Sequence, residues 1–192
     1  MEQLIAEIRN CSICQAHLPH GCRPILQVHP ASRIVLIGQA PGRRVHESGI
    51  PWSDKSGDNL RAWLQVSAEE FYDPTLFALV PMGFCYPGAG KTGDLPPRKE
   101  CAPQWHPPLF DRLPAVELVL LVGQYAQAYY LRDKAKETLT DTVQNYAAYL
   151  PQYFPLPHPS PRNNIWMKKN PWFAAALLPE LATRIARIKG GR

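Results

Sequence analysis

The chain has 192 residues, 45% of them hydrophobic and 19% charged, with 21 Lys+Arg against 16 Asp+Glu and a formal net charge of +5. No stretch approaches the roughly 18 uncharged apolar residues of a membrane span, and the start "MEQLIAEIRN" carries acidic residues and no apolar leader. These features predict no membrane span, no secretory signal and one soluble, cytoplasmic, monomeric domain over residues 1–192.

In chain order, "EQLIAEIRN" has helical apolar spacing and leads into Cys11. Residues 33–39, "RIVLIGQ", form a short, continuous apolar run, the signature of a strand buried on both faces. Residues 57–66 place Leu60, Trp63 and Leu64 on one helical face. Residues 76–82 ("LFALVPM") predict a second buried strand, and 116–123 ("VELVLLVG") a third. Helices are expected at 124–133 and 141–150, and a short fourth strand at 152–157 ("QYFPLP"). A closing helix is expected over 170–188, with Asn170 as its cap and Pro171 in its first position.

Strands alternating with helices predict an α/β class: three layers, α/β/α, around a central, mostly parallel four-stranded sheet. Ligands of such sheets bind outside the carboxyl ends of the strands. The chemically distinctive loops all follow strands: "GQAPGRRVHESGIPW", "MGFCYPG" and "HPSPRN". They converge on one rim. The chain has 21 prolines, many of them in runs such as "DLPPRKECAPQWHPP", which predict long ordered loops around the sheet.

Positive residues cluster at Arg43-Arg44, Arg162, Lys168-Lys169 and from Arg184 to Arg192. That clustering suits a polyanionic partner. The odd count of five cysteines argues against a disulfide framework. Cys11-x-x-Cys14 is a chelating pair, while Cys85 and Cys101 flank a proline-rich loop that would need tethering. Four thiolates suit either zinc or an iron–sulfur cluster. Cys22 falls outside this set and is expected to be a small hydrophobe.

"GQAPG" after a buried strand, "GIPW" shortly beyond it and "HPSPRN" after the last strand resemble the uracil-DNA glycosylase superfamily. The resemblance covers roughly residues 5 to 180 and is nearest the iron–sulfur bacterial and archaeal glycosylases, whose cysteine pattern is similar to Cys11, Cys14, Cys85 and Cys101. It implies a four-iron four-sulfur cluster at these residues, one that pins loops and the amino-terminal helix without electron transfer. It also implies a DNA partner and a hydrolase that flips a nucleotide into a pocket and breaks its glycosidic bond.

The resemblance implies the following roles. His158 donates an N–H to the departing base, and Trp52 stacks on that base, with Ala40 beside it. Ser160, Arg162 and Asn163 contact phosphates, and Gly42 allows close backbone approach. Ile165 or Trp166 wedges into the stack. The chain also departs from the family pattern. Gln39 stands where the iron–sulfur class usually has glutamate, and Ala40 where other classes place a water-activating Asp or Asn. An expected acidic pair reads Val45-His46, with Glu47 just beyond. Pro81 replaces the amide that reads a pyrimidine edge. Water positioning is therefore expected from Gln39 or Glu47, and base reading from main-chain groups at Met82-Gly83. The same scaffold would also suit another deaminated base such as hypoxanthine, or a module that binds damaged or single-stranded DNA without cleaving it. An unrelated enzyme acting on a small phosphorylated substrate would explain "GQAPG" but would leave the cysteines and "HPSPRN" without a role.

Overall fold

A computed structural model describes residues 1–191. The chain opens with α1 (Glu2–Arg9) and then forms β1 (Ile34–Ile37). Next come α2 (Arg43–Ser48), α3 (Lys55–Leu64), α4 (Ala68–Tyr72) and β2 (Phe77–Leu79). These are followed by α5 (Cys101–Phe110), β3 (Leu118–Val122), α6 (Gln124–Leu131) and α7 (Leu139–Gln144). The last elements are β4 (Tyr153–Leu156), α8 (Asn164–Lys169) and α9 (Leu178–Gly190).

The four strands form one all-parallel sheet in the order β2-β1-β3-β4. Alternation along each strand sorts its side chains onto two faces. Ile34, Leu36, Phe77, Leu79, Leu118, Leu120, Val122, Phe154 and Leu156 pack with α3, α7 and α9, through residues such as Leu60, Val143 and Leu181. Val35, Ile37, Ala78, Val80, Val119 and Leu121 pack with α1, α5 and α6, through Leu4, Trp105 and Ala126. Both faces are covered, so the strands read as unbroken apolar runs, and the architecture is three-layer α/β/α. Among the described residues no helix is long and apolar enough to cross a membrane.

The strands lie within the runs expected for them, but several helices differ from expectation, α4 and α8 being unforeseen. The loop after β1 contains α2, which starts at extended Gly42 and stops at Gly49 in the left-handed region (φ 75°). The proline-rich segment ends in a helix, because Cys101 opens α5, with Pro107 and Pro108 inside it. The helix expected over 141–150 divides at Asn145 into α7 and a 3-10 turn, Tyr146–Tyr149. The closing helix widens to π geometry over Phe173–Leu177. Pro179 explains this last change: it has no N–H to give the carbonyl four residues earlier, so the preceding turn relaxes.

Candidate active site

Because the strands are parallel, β1, β3 and β4 deliver their following loops to one rim. The chain goes from β1 outward to β2 and then returns to the other side of β1 with β3, so the order reverses between β1 and β3. A crevice opens at such a reversal. It holds a cavity of about 360 Å3, lined by Gly38, Gln39, Ala40 and Gly42 from the first loop, Trp52, Asp54 and Ser56 beyond it, Pro81 after β2, Asp94, and His158, Ser160 and Arg162 after β4.

Trp52 is held in an unusual backbone conformation, φ 56°, which costs a non-glycine residue energy. The surroundings enforce it. The Tyr72 hydroxyl donates to the Pro51 carbonyl at 2.9 Å, and Arg61 donates to the Trp52 carbonyl at 3.4 Å. Two glycines make room. A Cβ at Gly57 would lie 1.8 Å from the Trp52 carbonyl oxygen, and one at Gly38 would lie 2.7 Å from the indole. Asp54 caps α3 by accepting the Gly57 N–H at 3.0 Å, fixing the same corner.

His158 stands opposite, its ring centroid 5.9 Å from that of Trp52. Its loop is tied down through the main chain. Asn163 Nδ2 donates to the His158 carbonyl at 2.6 Å, and Asn59 Nδ2 donates to the Pro159 carbonyl at 2.8 Å. Desolvation pushes the imidazole pKa below its ordinary value, and the charges of Asp54 and Asp94 only partly oppose this. At neutral pH the ring is uncharged, able to donate from one nitrogen and accept at the other.

The structure gathers His158, Gln39, Ala40, Gly42, Trp52, Ser160 and Arg162 around one cavity. Arg162 also reaches across to the Thr92 carbonyl at 2.8 Å, and Ser160 Oγ accepts the Arg162 N–H at 3.3 Å. Other expected site residues lie elsewhere. Glu47 is exposed on α2, paired with Arg43 at 3.2 Å, and does not line the cavity. The Met82 and Gly83 N–H groups already pair with the Gly38 and Gln39 carbonyls, at 2.8 and 3.0 Å, so they are not free to read a base. The Met82 side chain belongs to a separate cavity between α6 and the 95–103 segment. Trp166 donates to Thr140 Oγ1 at 2.8 Å and packs edge-on against Trp172 and Phe173, a core contact rather than a wedge. Ile165, one residue earlier on α8, is 68% exposed. Asp54 and Asp94 were not expected at the site. The capping position before the 57–66 pattern could have pointed to Asp54, whereas nothing periodic marks Asp94.

Cys11, Cys14, Cys85 and Cys101 line one small cavity with Cys22 and Arg98, next to the layer formed by α1 and α5. All five cysteines are unbridged. The Phe84 N–H donates to Cys101 Sγ at 3.4 Å, the type of contact that stabilises bound thiolates. Burial and neighbouring sulfurs push the Cys85 and Cys101 thiols up to about 12, so without a bound cation they stay protonated. Among the described residues no three His, Cys, Asp or Glu side chains are gathered as tightly as a single metal ion requires. Four cysteines around one cavity are a donor set that suits either zinc or an iron–sulfur cluster. Cys22 also lines this cavity.

At the switch point of the open parallel sheet, a histidine loop tied down through its main chain, an indole and an arginine surround one cavity. The model of the uracil DNA glycosylase superfamily matches residues 26–182, and the chain belongs to that superfamily. Membership makes it a DNA glycosylase, a hydrolase of base excision repair whose partner is DNA.

Proposed function

We propose that the chain is a monofunctional glycosylase that removes uracil from DNA. One observation carries this reading: an uncharged His158 and the Trp52 indole, ring centroids 5.9 Å apart, line one cavity large enough to admit a flipped base beside them. Trp52 stacks on the base, and the His158 N–H stabilises the anion that leaves. Gly42, Ser160 and Arg162 sit where the flanking phosphates run. Asn163 acts indirectly, by holding the His158 carbonyl. Ile165 fills the vacated position in the stack. Gln39 lines the cavity and orients water or the base edge.

Pro81 favours a second reading. Its ring lines the cavity where a pyrimidine-reading amide would stand, and its carbonyl is occupied by His106 Nε2 at 3.0 Å. A deaminated purine such as hypoxanthine needs no such amide. Oligonucleotides carrying a single uracil, hypoxanthine or xanthine, incubated with the protein and then treated with alkali, decide between the two. Breaks at uracil support the first reading and breaks only at a purine lesion the second. Retention on a gel without breaks at any lesion refutes both.

We also infer that Cys11, Cys14, Cys85 and Cys101 hold a four-iron four-sulfur cluster. Its role there is structural: it ties the segment after α1 to the start of α5. Anaerobically purified protein should be brown and hold about four irons per chain. Serine at Cys85 should abolish the colour, whereas serine at Cys22 should leave the iron content unchanged. Colourless protein holding one zinc would refute the cluster and keep the tetrathiolate site.

A further inference from the structure

Hydrolysis needs a group that holds the attacking water, and the first loop offers none that can take its proton. Gln39 is an amide, Ala40 has no functional group, and Glu47 points away from the cavity. Two carboxylates do line it, Asp54 and Asp94. Asp54 is engaged as the cap of α3. Asp94 lies at the end of a tight hairpin closed by Gly90 N–H to the Gly93 carbonyl at 2.6 Å and Leu95 N–H to the Gly88 carbonyl at 2.8 Å. Arg162 ties this hairpin to the His158 loop through the Thr92 carbonyl. The Asp94 Oδ2 comes within 3.2 Å of the point a Cβ on Gly42 would occupy, so a larger residue at Gly42 would crowd it.

We propose that Asp94 is the carboxylate that holds and deprotonates the attacking water. This assignment rests on the glycosylase reading. Depth argues for it. A flipped base enters furthest, against Trp52 and His158 on the cavity wall, and leaves its sugar toward solvent. Asp94 lines the same cavity but is exposed, whereas Trp52 and His158 are half-buried, which puts the carboxylate on the solvent side of the base. Its charge then faces C1′ as positive charge develops there. The bond from C1′ to the base nitrogen breaks, and its electron pair leaves with the base toward the His158 N–H. The water oxygen bonds to C1′, and its proton passes to the Asp94 carboxylate.

The test is single-turnover cleavage by Asp94→Asn on the lesion that the wild type cleaves, with DNA affinity and thermal melting measured on the same samples. A lost general base lowers the rate by about a hundredfold or more, and affinity and melting should hold. Asp94→Glu, which keeps the charge, should recover part of the rate. Wild-type cleavage by Asp94→Asn overturns the assignment, as do equal losses of rate and affinity. A switch of preferred lesion at undiminished rate makes Asp94 a base reader and overturns it as well. If the wild type cleaves no lesion, the glycosylase reading falls first, before any variant is made, and the assignment falls with it.

Discussion

Replacing His158 with alanine should lower single-turnover base excision by about a hundred- to a thousandfold, or about 2.7–4 kcal/mol, with little change in DNA affinity. The imidazole meets charge only when the base departs as an anion, so its contribution belongs to the transition state and not to binding. Its low pKa, set first by desolvation, keeps it uncharged at neutral pH and leaves a directed N–H. The variant should fold, because the loop is held by Asn163 on the His158 carbonyl and Asn59 on the Pro159 carbonyl, with no bond required from the ring. Normal cleavage by the variant would make the histidine structural. Parallel losses of binding and cleavage would make it a positioning residue.

Acidification from pH 7 to 4 should cost the fold about 3 kcal/mol through His106 alone. This side chain is 2% exposed, with Nδ1 2.6 Å from the Tyr130 hydroxyl and Nε2 3.0 Å from the Pro81 carbonyl. The neutral ring satisfies both partners: Nε2–H donates to the carbonyl, and Nδ1 accepts from the hydroxyl. Burial lowers its pKa from 6.5 to about 4. Between these values the unfolded chain binds the proton and the folded chain does not. The stability is therefore complete above about pH 6.5 and is lost as pH falls toward 4. Urea titrations of the wild type and of His106→Gln at pH 7 and pH 4 isolate the effect, since the remaining carboxylates titrate in both. Equal acid losses in the two proteins would show that His106 does not carry it.

His106 also shows how the core supports the site. It sits on α5, inside a segment whose prolines read as loop, and it anchors the Pro81 carbonyl at the wall of the cavity. A helix with Pro107 and Pro108 in its interior defies local propensity. It forms because Ala102, Trp105 and Leu109 bury against the sheet, and tertiary burial outweighs the missing backbone bonds.

The amino-acid sequence by itself determined the layers and the rim. Four short apolar runs separated by helical patterns require a buried parallel sheet, and parallel strands send their following loops to one end. The rim position of the "GQAPG" and "HPSPRN" loops was legible for that reason, while the roles of His158 and Trp52 came from the resemblance to the glycosylase superfamily. Only the tertiary structure decided which loop residues face the cavity. Glu47 and Asp94 are both acidic residues in loops near glycines, and no periodicity separates them. A single turn of α2 carries Glu47 outward to Arg43, while a hairpin pinned by Arg162 carries Asp94 inward over Gly42. Trp166 and Ile165 were equally ambiguous until the register of α8 placed one against Phe173 and the other in solvent. Neighbours on a short helix point in different directions, and packing from distant parts of the chain decides which of them is buried.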